Sequence, residues 1–288
     1  MTSTSEAPAS FRSSAVRPGP IGLLREAAAE VLSRRRLIRY LVQADIKKKG
    51  ADTFLGNVWW VVDPILQMVV YAILVTLIFQ RHQPDYPLFI FSAILPWKWF
   101  ATAVHDGVTS VVGSERLIKQ VQFPKLVLPT ASAISGIANF VFGLIPLAFM
   151  LVVIYPHRLT PWVLAIPAIA FVQLLFTLPV AFAAASSNVF YRDIGNLTRH
   201  VLRLWFYLSP ALYGIDLILS MSERYPIVGT LMLLNPFTTL FTAYRAVIYE
   251  GTSPDWAALA VLAAASIGLL LLATWYFKRV EPAFAKVL

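Results

Sequence analysis

The amino-acid sequence predicts an all-α, polytopic membrane protein with six transmembrane helices, an N-terminal amphipathic interface helix and exterior re-entrant helices. Hydrophobic residues make up 58% of the chain and charged residues only 14%. Six apolar stretches each approach or exceed the roughly 20 residues that a helix needs to cross hydrocarbon. They cover residues 58–79, 88–112, 126–154, 161–187, 200–219 and 256–277. Most basic residues lie in every second segment outside the stretches, and therefore on one side of the membrane. This is the third observation that predicts the fold.

The basic residues also predict an orientation. Six crossings place both termini on one side, and 19 of the 24 lysine and arginine residues belong to segments on that side. Such an excess marks the cytoplasmic face of a membrane protein, so both termini are predicted to be cytoplasmic. The net charge of +9 then reflects loops that face anionic membrane lipids. Nucleic acid is therefore not expected as a partner.

The segment before the first span divides into two parts. Residues 1–21 are rich in Ser, Ala and Pro and are predicted to form a disordered tail, because they offer too little apolar surface to bury. Residues 22–56 are predicted to form a cytoplasmic amphipathic helix on the inner leaflet, followed by a loop. Asp45 interrupts the apolar face of this helix, and an ordinary solvated helix face is the alternative.

A short charged segment, residues 113–123, connects spans two and three. Ser114 can cap a helix, Glu115 suits the positive end of the helix dipole, and Pro124 is expected to stop the helix. These signals predict a short cytoplasmic helix. An ordinary connector between two spans explains the spacing equally well.

The exterior segment between spans five and six is long and apolar. Residues 227–234 and 236–248 are each shorter than a membrane crossing and are separated by Asn235-Pro236. Irregular backbone at membrane depth is tolerated only against protein or a water-filled cavity. The segment 225–249 is therefore predicted to form re-entrant helices that gate an exit path.

Few charges lie inside the predicted spans, namely Asp63, Lys98 and Asp106. Charges in hydrocarbon are costly and are functional candidates by default. Lys98 lies between Trp97 and Trp99 and is predicted either to meet cargo in a polar pore, or to snorkel or pair with a carboxylate of a neighbouring helix. Aromatic rings in spans two and five either stack on sugar faces or simply pack against lipid.

Catalytic and cofactor signatures are not found in the sequence. The phosphate-binding pattern GxxxxGK[ST] does not occur, so any ATP is expected on a partner chain. The four histidines are scattered without metal-ligand spacing, and no Ser/His/Asp set converges. No catalytic, cofactor-binding or metal site is therefore predicted on this chain.

Several short motifs in order along the chain carry a family resemblance. They are Leu55-Gly56, Trp59-Trp60 with Pro64, Leu117-Ile118-Lys119, Phe123-Pro124-Lys125, Tyr191-Arg192-Asp193-Ile194, Ser209-Pro210, Asn235-Pro236, Tyr244-Arg245 and the tail from Phe277 to Phe284. In this order and spacing the chain resembles the permease subunits of ABC-2 type exporters, and within them the branch that exports O-antigen, teichoic acid or galactan. Lys98 departs from this family, in which an uncharged polar residue is more typical.

The resemblance implies a homodimer in the bacterial cytoplasmic (inner) membrane. Each subunit would bind a separate nucleotide-binding ATPase chain, which holds ATP and Mg, and would move a lipid-linked glycan outward. Residues 57–277 would form the six-helix transmembrane domain and residues 278–288 a cytoplasmic C-terminal tail.

The resemblance also implies roles for particular residues. Those that would couple to the ATPase are Ser114, Glu115, Arg116, Leu117, Ile118, Lys119 and Gln120. The entrance loop for the lipid-linked head group would contain Leu55 and Gly56. Candidates for the translocation path are Trp59, Trp60, Trp97, Lys98, Trp99, Trp205, Phe206 and Tyr207, and for the exterior gate Asn235, Pro236, Tyr244 and Arg245.

Three alternatives remain open at this stage. An ABC-2 permease could export a drug or a simple lipid instead of a glycan. A channel or carrier could work without any ATPase. A membrane glycosyltransferase or ligase would need catalytic carboxylates in an aqueous loop, and residues 220–255 offer only Glu223, Glu250 and Asp255.

Overall fold

The computed structural model describes residues 19–51, 54–78 and 83–288. Within these residues every regular element is a helix, and twelve are α-helices. They are α1 Pro20–Ser33, α2 Arg35–Gly50, α3 Trp59–Ile73, α4 Tyr86–Ser110, α5 Glu115–Gln120, α6 Val127–Phe149, α7 Ile166–Phe190, α8 Ile194–Leu208, α9 Ile215–Arg224, α10 Pro226–Leu233, α11 Pro236–Arg245 and α12 Trp256–Val287. Short 3₁₀ turns are Gly56–Val58, Val112–Ser114, Pro156–Arg158 and Pro161–Ala165, and π-helical turns are Leu74–Ile78, Met150–Ile154 and Ala246–Glu250.

Five continuous helical segments in the described part of the chain are long and apolar enough to cross a membrane. They are Gly56–Leu77, Tyr86–Ser110, Val127–Ile154, Pro161–Phe190 and Trp256–Val287. At about 1.5 Å per residue even the shortest, with 22 residues, covers the roughly 30 Å of hydrocarbon. The predicted all-α, polytopic membrane fold is confirmed.

The two ends of the bundle differ in charge. We call the end that carries α2, α5 and the last turns of α12 the basic end, because most lysine and arginine residues lie there. The opposite end, which we call the far end, carries Asp85 before α4, Arg158 and Tyr249. These names describe position only.

The fifth predicted span, residues 200–219, differs from the structure. The helix begins earlier, at Ile194, and ends at Leu208 after 15 residues. Ser209 is extended, with ψ 151°, a conformation that a following proline favours over the helical one. The chain continues non-helically to Gly214 and reaches the far end, where Tyr86 Oη donates to the carbonyl of Leu212 (3.0 Å). The fifth crossing is therefore a helix of about 22 Å followed by a non-helical segment of turns and bends.

The segment after this crossing folds back into the bundle. α10 and the helix Pro236–Glu250 are bent by 66° at their junction. Phe237, at the start of α11, packs against Trp97 and Phe100 in the middle of α4, with ring centroids 4.7 Å apart in each case. At the other end Tyr249 Oη donates to the carbonyl of Pro84 (2.7 Å). α11 thus runs from mid-depth to the far end, which makes the bent pair a re-entrant hairpin, as predicted.

The core of the bundle is built around α4. This helix buries 17 of its 25 residues and contacts α3, α6, α7, α8 and α11. Gly136 of α6 permits a close approach, since a Cβ there would lie 2.8 Å from Trp99 Cδ1 and 3.1 Å from the Ala103 side chain. Small residues serve this purpose at many membrane helix contacts.

The N-terminal prediction needs two corrections. The helix predicted from residue 22 onward is two helices, and the chain breaks at Arg34 (φ −96°, ψ 20°). The predicted disordered tail, residues 1–21, overlaps α1, which begins at Pro20; residues 1–18 lie outside the described residues. The apolar face of α2 packs on α6 through Ile38, Val127 and Ala131.

The C-terminal prediction also changes. Residues 278–288 were predicted to be a cytoplasmic C-terminal tail after a transmembrane domain that ends at residue 277. In the structure α12 continues without interruption to Val287, because the buried side chains of Phe277 and Phe284 hold its last turns against the basic end of the bundle.

Candidate coupling surface and translocation path

The predicted coupling helix is present and exposed at the basic end. It is shorter than the predicted range 113–123, because the backbone becomes extended at Val121 (φ −130°, ψ 134°). Ser114 does not cap α5 with its side chain. Ile118 is buried, whereas Arg116, Leu117, Lys119 and Gln120 are exposed. The helix therefore has one apolar anchor and presents a charged outer face.

Charge pairing orders this outer face. Lys119 Nζ donates to Glu115 Oε1 (2.7 Å) and to the carbonyl of Leu288 (2.7 Å). The hydrogen bond from Lys119 lowers the pKa of Glu115, with help from its positive charge. α5 is thus tied to the end of α12.

A buried lysine links α12 to α1. Lys278 is 7% exposed, and its Nζ lies 2.8 Å from Glu281, 2.9 Å from Glu30 and 3.6 Å from Glu26. Glu281 also accepts from the backbone N–H of Lys125 (2.6 Å). Burial raises the pKa of Glu30, and Lys278 opposes the rise. Sequence reasoning missed this cluster, although Glu26/Glu30 and Lys278/Glu281 at helical spacing are a signal for it.

A second cluster links α2 to α4. Lys49 Nζ lies 2.6 Å from Asp106 and 2.8 Å from Asp45, and Asp45 also accepts from the Ser135 hydroxyl of α6. Burial alone would lower the pKa of Lys49, but the two carboxylates outweigh it and raise the pKa. Asp45, which interrupts the apolar face of α2 in the sequence, therefore helps to hold α2 against the bundle.

The predicted entrance loop leads directly into α3. Gly56 has a φ of +52°, a conformation that glycine adopts without strain. It follows Leu55, which has a helical backbone (φ −98°, ψ −5°). A Cβ on Gly50 would lie 2.4 Å from Asn57 Oδ1, so the end of α2 packs tightly on this loop.

The predicted path residues separate into two groups. Trp97, Trp99 and Phe206 are buried in the core of the subunit, where they pack against Phe237 and Phe140. They do not line an open surface, because their large rings fill the space around α4.

The remaining aromatic candidates are accessible. Trp59 is 45% and Tyr207 50% exposed, while Trp60 and Trp205 are intermediate. Trp60 packs edge-on against Phe142 (5.3 Å). The aromatic candidates that can line a path are therefore on α3 and α8.

Lys98 forms an ion pair with Asp63 of α3. This is the predicted alternative in which the lysine pairs with a carboxylate on a neighbouring helix. The Asp63 side chain is 64% exposed and that of Lys98 20%. The pair therefore lies at the surface of the subunit, at the depth of the spans.

Asn235 organises the mid-depth turn of the predicted gate. Its Oδ1 accepts from Trp205 Nε1 (3.0 Å) and from the Phe237 N–H (3.1 Å), and its Nδ2 donates to Ser209 Oγ (2.8 Å). Pro236 begins α11 with a fixed φ and no N–H to satisfy. The end of α8 and the start of α11 are thereby held together.

Arg245 organises the predicted gate at the far end. It is 3% exposed, donates to the carbonyls of Tyr213 (3.0 Å) and Ala211 (2.7 Å), and stacks 3.7 Å above the Phe89 ring. Tyr244 is fully buried, and its hydroxyl finds no partner within the described residues. Both residues pack rather than reach an open surface in this structure.

A polar cluster missed by sequence reasoning lies beside this gate. Asp85 accepts from Arg158 Nε (2.8 Å) and approaches His157 Nε2 (2.9 Å), while Arg158 Nη1 donates to the carbonyl of Tyr249 (3.1 Å). Burial alone would raise the pKa of Asp85, but the hydrogen bonds from His157 and Arg158 lower it.

These features define a class of protein. The described residues form a helical membrane bundle with a re-entrant hairpin at one end and an anchored charged helix at the other, which is compatible with a transport protein. Residues 36–249 match the ABC-2 type transporter family. The chain belongs to this family.

Three relatives cover nearly the whole chain. The O-antigen export system permease protein RfbA of Myxococcus xanthus is 35% identical over 257 residues, which are 89% of this chain and 97% of that protein. Two proteins of the same name from Klebsiella pneumoniae are 26% and 24% identical, each over 88% of this chain and 95% of their own length.

Proposed function

We propose that this chain is the membrane permease subunit of an ABC exporter that moves a lipid-linked polysaccharide across the bacterial cytoplasmic membrane. The observation that carries the proposal is the match of residues 36–249 to the ABC-2 type transporter family, together with relatives named for O-antigen export that the chain covers almost completely. ATP and Mg belong to a separate ATPase subunit, and two copies of this chain form the permease.

The orientation follows from charge. Segments at the basic end carry most of the lysine and arginine residues, which favours placing this end and both termini in the cytoplasm. α5 would then face the ATPase, and the re-entrant hairpin would face the exterior.

The anchoring of α5 supports a coupling role. Ile118 and Lys119 connect the helix to the core and to the end of α12, and Lys278 connects α12 to α1. A push on α5 would therefore move several helices together. The permease supplies the path and transmits motion from α5 to the spans, and the ATPase supplies the energy.

Co-purification tests this function. The tagged chain is extracted from its native host in mild detergent, and the associated proteins are quantified by mass spectrometry. An ATPase with a phosphate-binding loop near one-to-one stoichiometry is expected. A stable permease dimer that reproducibly lacks such a partner would contradict the proposal and favour an ATP-independent channel.

The cargo needs its own measurement. Inverted membrane vesicles that contain the complex are supplied with a radiolabelled lipid-linked glycan from the same host and with ATP. ATP-dependent protection of the glycan inside the vesicles is expected. Protection of a simple lipid but not of the glycan would assign a different cargo to the same exporter.

A further inference from the structure

A cavity opens at the far end of the bundle, between the start of α4, the non-helical chain after α8 and the end of the re-entrant hairpin. We call it the far-end cavity. Its volume is about 490 Å³, which lies within the range of small-molecule sites in proteins. The charged residues that line it are Arg245, Asp216 and Glu250. Charges of both signs therefore meet in one cavity.

Arg245 forms part of the buried wall of the far-end cavity. A guanidinium has five N–H donors, and Arg245 uses Nη1 and Nη2 to hold the carbonyls of Tyr213 and Ala211. Its Nε is buried and has no hydrogen-bond partner within the described residues. No carboxylate of that part of the chain forms an ion pair with the guanidinium. A buried charge without a counter-charge is costly, so this wall favours a negatively charged acceptor.

Thr242 offers a second donor on the same wall. It lines the cavity and precedes Arg245 by three residues on α11, a spacing that places both side chains on one helix face. Its hydroxyl has no hydrogen-bond partner in the described ranges. The hydroxyl and the guanidinium can therefore donate to one anionic group.

The outer part of the cavity has the opposite charge. Asp216 of α9 and Glu250 at the end of the hairpin are both exposed, and neither forms an ion pair with another described residue. A simple anion would meet repulsion from these two carboxylates, whereas a simple cation would leave Arg245 without an acceptor. A ligand that carries one anionic and one cationic group satisfies both parts of the cavity.

The position of the cavity selects a lipid among such ligands. Val75 lines it and lies two residues before Leu77, where the first span ends, so the cavity reaches hydrocarbon depth. Tyr86, Tyr213 and Tyr249 also line it, and tyrosine is enriched where hydrocarbon meets head groups. A ligand with a polar head and apolar chains fits this level of the bundle.

We propose that the far-end cavity binds the head group of a zwitterionic phospholipid from the adjacent leaflet. The phosphodiester accepts from Arg245 and Thr242, in the strong charge-assisted contact that guanidinium makes with phosphate. The ammonium group lies beside Asp216 and Glu250. This site goes beyond the export function, and only the identification of the leaflet as the outer one rests on the proposed orientation.

Lipid retention tests the inference. The tagged full-length chain is purified in mild detergent, depleted of native lipid by detergent exchange, and incubated with equal amounts of phosphatidylethanolamine and phosphatidylglycerol that have identical acyl chains. Native mass spectrometry counts the bound lipids. The chain should retain phosphatidylethanolamine at least about fivefold better, the upper range for one exposed ion pair, because phosphatidylglycerol lacks the ammonium group. Equal retention of both lipids, or of neither, would overturn the inference.

Substitutions at the outer carboxylates locate the selective site. The combination of Asp216→Asn and Glu250→Gln should abolish the preference, so that both lipids are retained alike. Glu223→Gln is the matched control, because Glu223 is exposed on the same helix α9 but does not line the cavity. A preference that survives the double substitution, or that is lost in the control, would refute the assignment. Circular dichroism verifies that the variants remain folded.

Thr242→Val separates the phosphate contact from the ammonium contact. It removes the hydroxyl and nearly preserves side-chain shape, so it should weaken retention of both lipids by about threefold to tenfold, since both carry a phosphodiester. The preference for phosphatidylethanolamine should persist. Unchanged retention would contradict the placement of the phosphate beside α11.

A soluble competitor distinguishes a lipid from a water-soluble zwitterion. Glycerophosphoethanolamine has the same head group without acyl chains. At the same concentration as the lipid it should not displace phosphatidylethanolamine, because it lacks the apolar surface that the lipid buries. Displacement under these conditions would overturn the lipid assignment in favour of a soluble zwitterionic ligand.

Discussion

α3 and α4 follow each other in the chain and both cross the membrane, yet they use their apolar residues in opposite ways. α4 buries 17 of 25 residues, whereas of the 15 described residues of α3 only Pro64 is buried. α4 nevertheless contains Ser92, Lys98 and Asp106, so the buried helix is not the more apolar one. In a membrane, apolarity marks contact with lipid as much as contact with the core. Whether a membrane helix is buried therefore has to be determined from the residues that pack against it, and not from how apolar it is.

The largest expected difference between the two helices is in stability. Trp99→Ala in α4 should reduce the free energy of unfolding by about 3–5 kcal/mol, because a large ring in a packed core is removed. Val70→Ala in α3 should change it by less than about 0.5 kcal/mol, as at other exposed positions. Detergent titration followed by circular dichroism measures both. Equal losses would mean that α3 is buried in the isolated subunit.

Close packing on α4 predicts the next largest effect. Gly136→Ala should cost about 1–3 kcal/mol of unfolding free energy, because the added methyl group lies 2.8 Å from Trp99 Cδ1. Gly268→Ala on α12 is the matched control, since its added methyl group meets no atom within 4 Å. If both substitutions were neutral in the same titration, the contact between α4 and α6 would be looser than described.

The ion pair between the two helices gives a smaller effect. A double-mutant cycle with Asp63→Asn and Lys98→Gln should yield a coupling energy below about 1 kcal/mol, because an exposed pair is screened by water. A coupling of several kcal/mol in unfolding experiments would show that the pair is desolvated, which would place it against protein or lipid.

The smallest effect on stability is expected at the basic end. Replacing Glu115, Arg116 and Lys119 together by Ala should alter unfolding by no more than about 0.5 kcal/mol, because these side chains are on the surface. The same variant should lose ATP-dependent glycan transport while membrane insertion persists. Quantitative immunoblots of membranes and the vesicle assay measure the two outcomes, and loss of insertion would contradict a coupling role.

The sequence was sufficient to predict the long spans, but not the fifth crossing or the end of α12. Continuous apolar stretches predicted five of the crossings, because length and apolarity are enough to define a membrane helix. The fifth crossing was misplaced, since Ser209-Pro210 ends α8 inside an apolar stretch that continues beyond it. The end of α12 was missed because its charges at 278 and 281 signal a solvated tail, whereas the fold pairs them with α1.

Site residues were harder to predict for a different reason. A tryptophan on a membrane helix has the same sequence signature whether it faces a path, lipid or the core, and the structure buries Trp97 and Trp99. Asp63 was identified from the sequence as a charge inside a span, but only its ion pair with Lys98 shows that it joins α3 to α4.

The way in which Arg245 is held bears on how the packing of the re-entrant hairpin responds to salt. Its guanidinium is bound by two backbone carbonyls and an aromatic ring, and it is 3% exposed. Dissolved salt weakens attraction between charges in water over about 8 Å at physiological ionic strength, but it does not reach this buried contact. The contacts that Arg245 makes in the hairpin should therefore be equally stable at low and at physiological ionic strength.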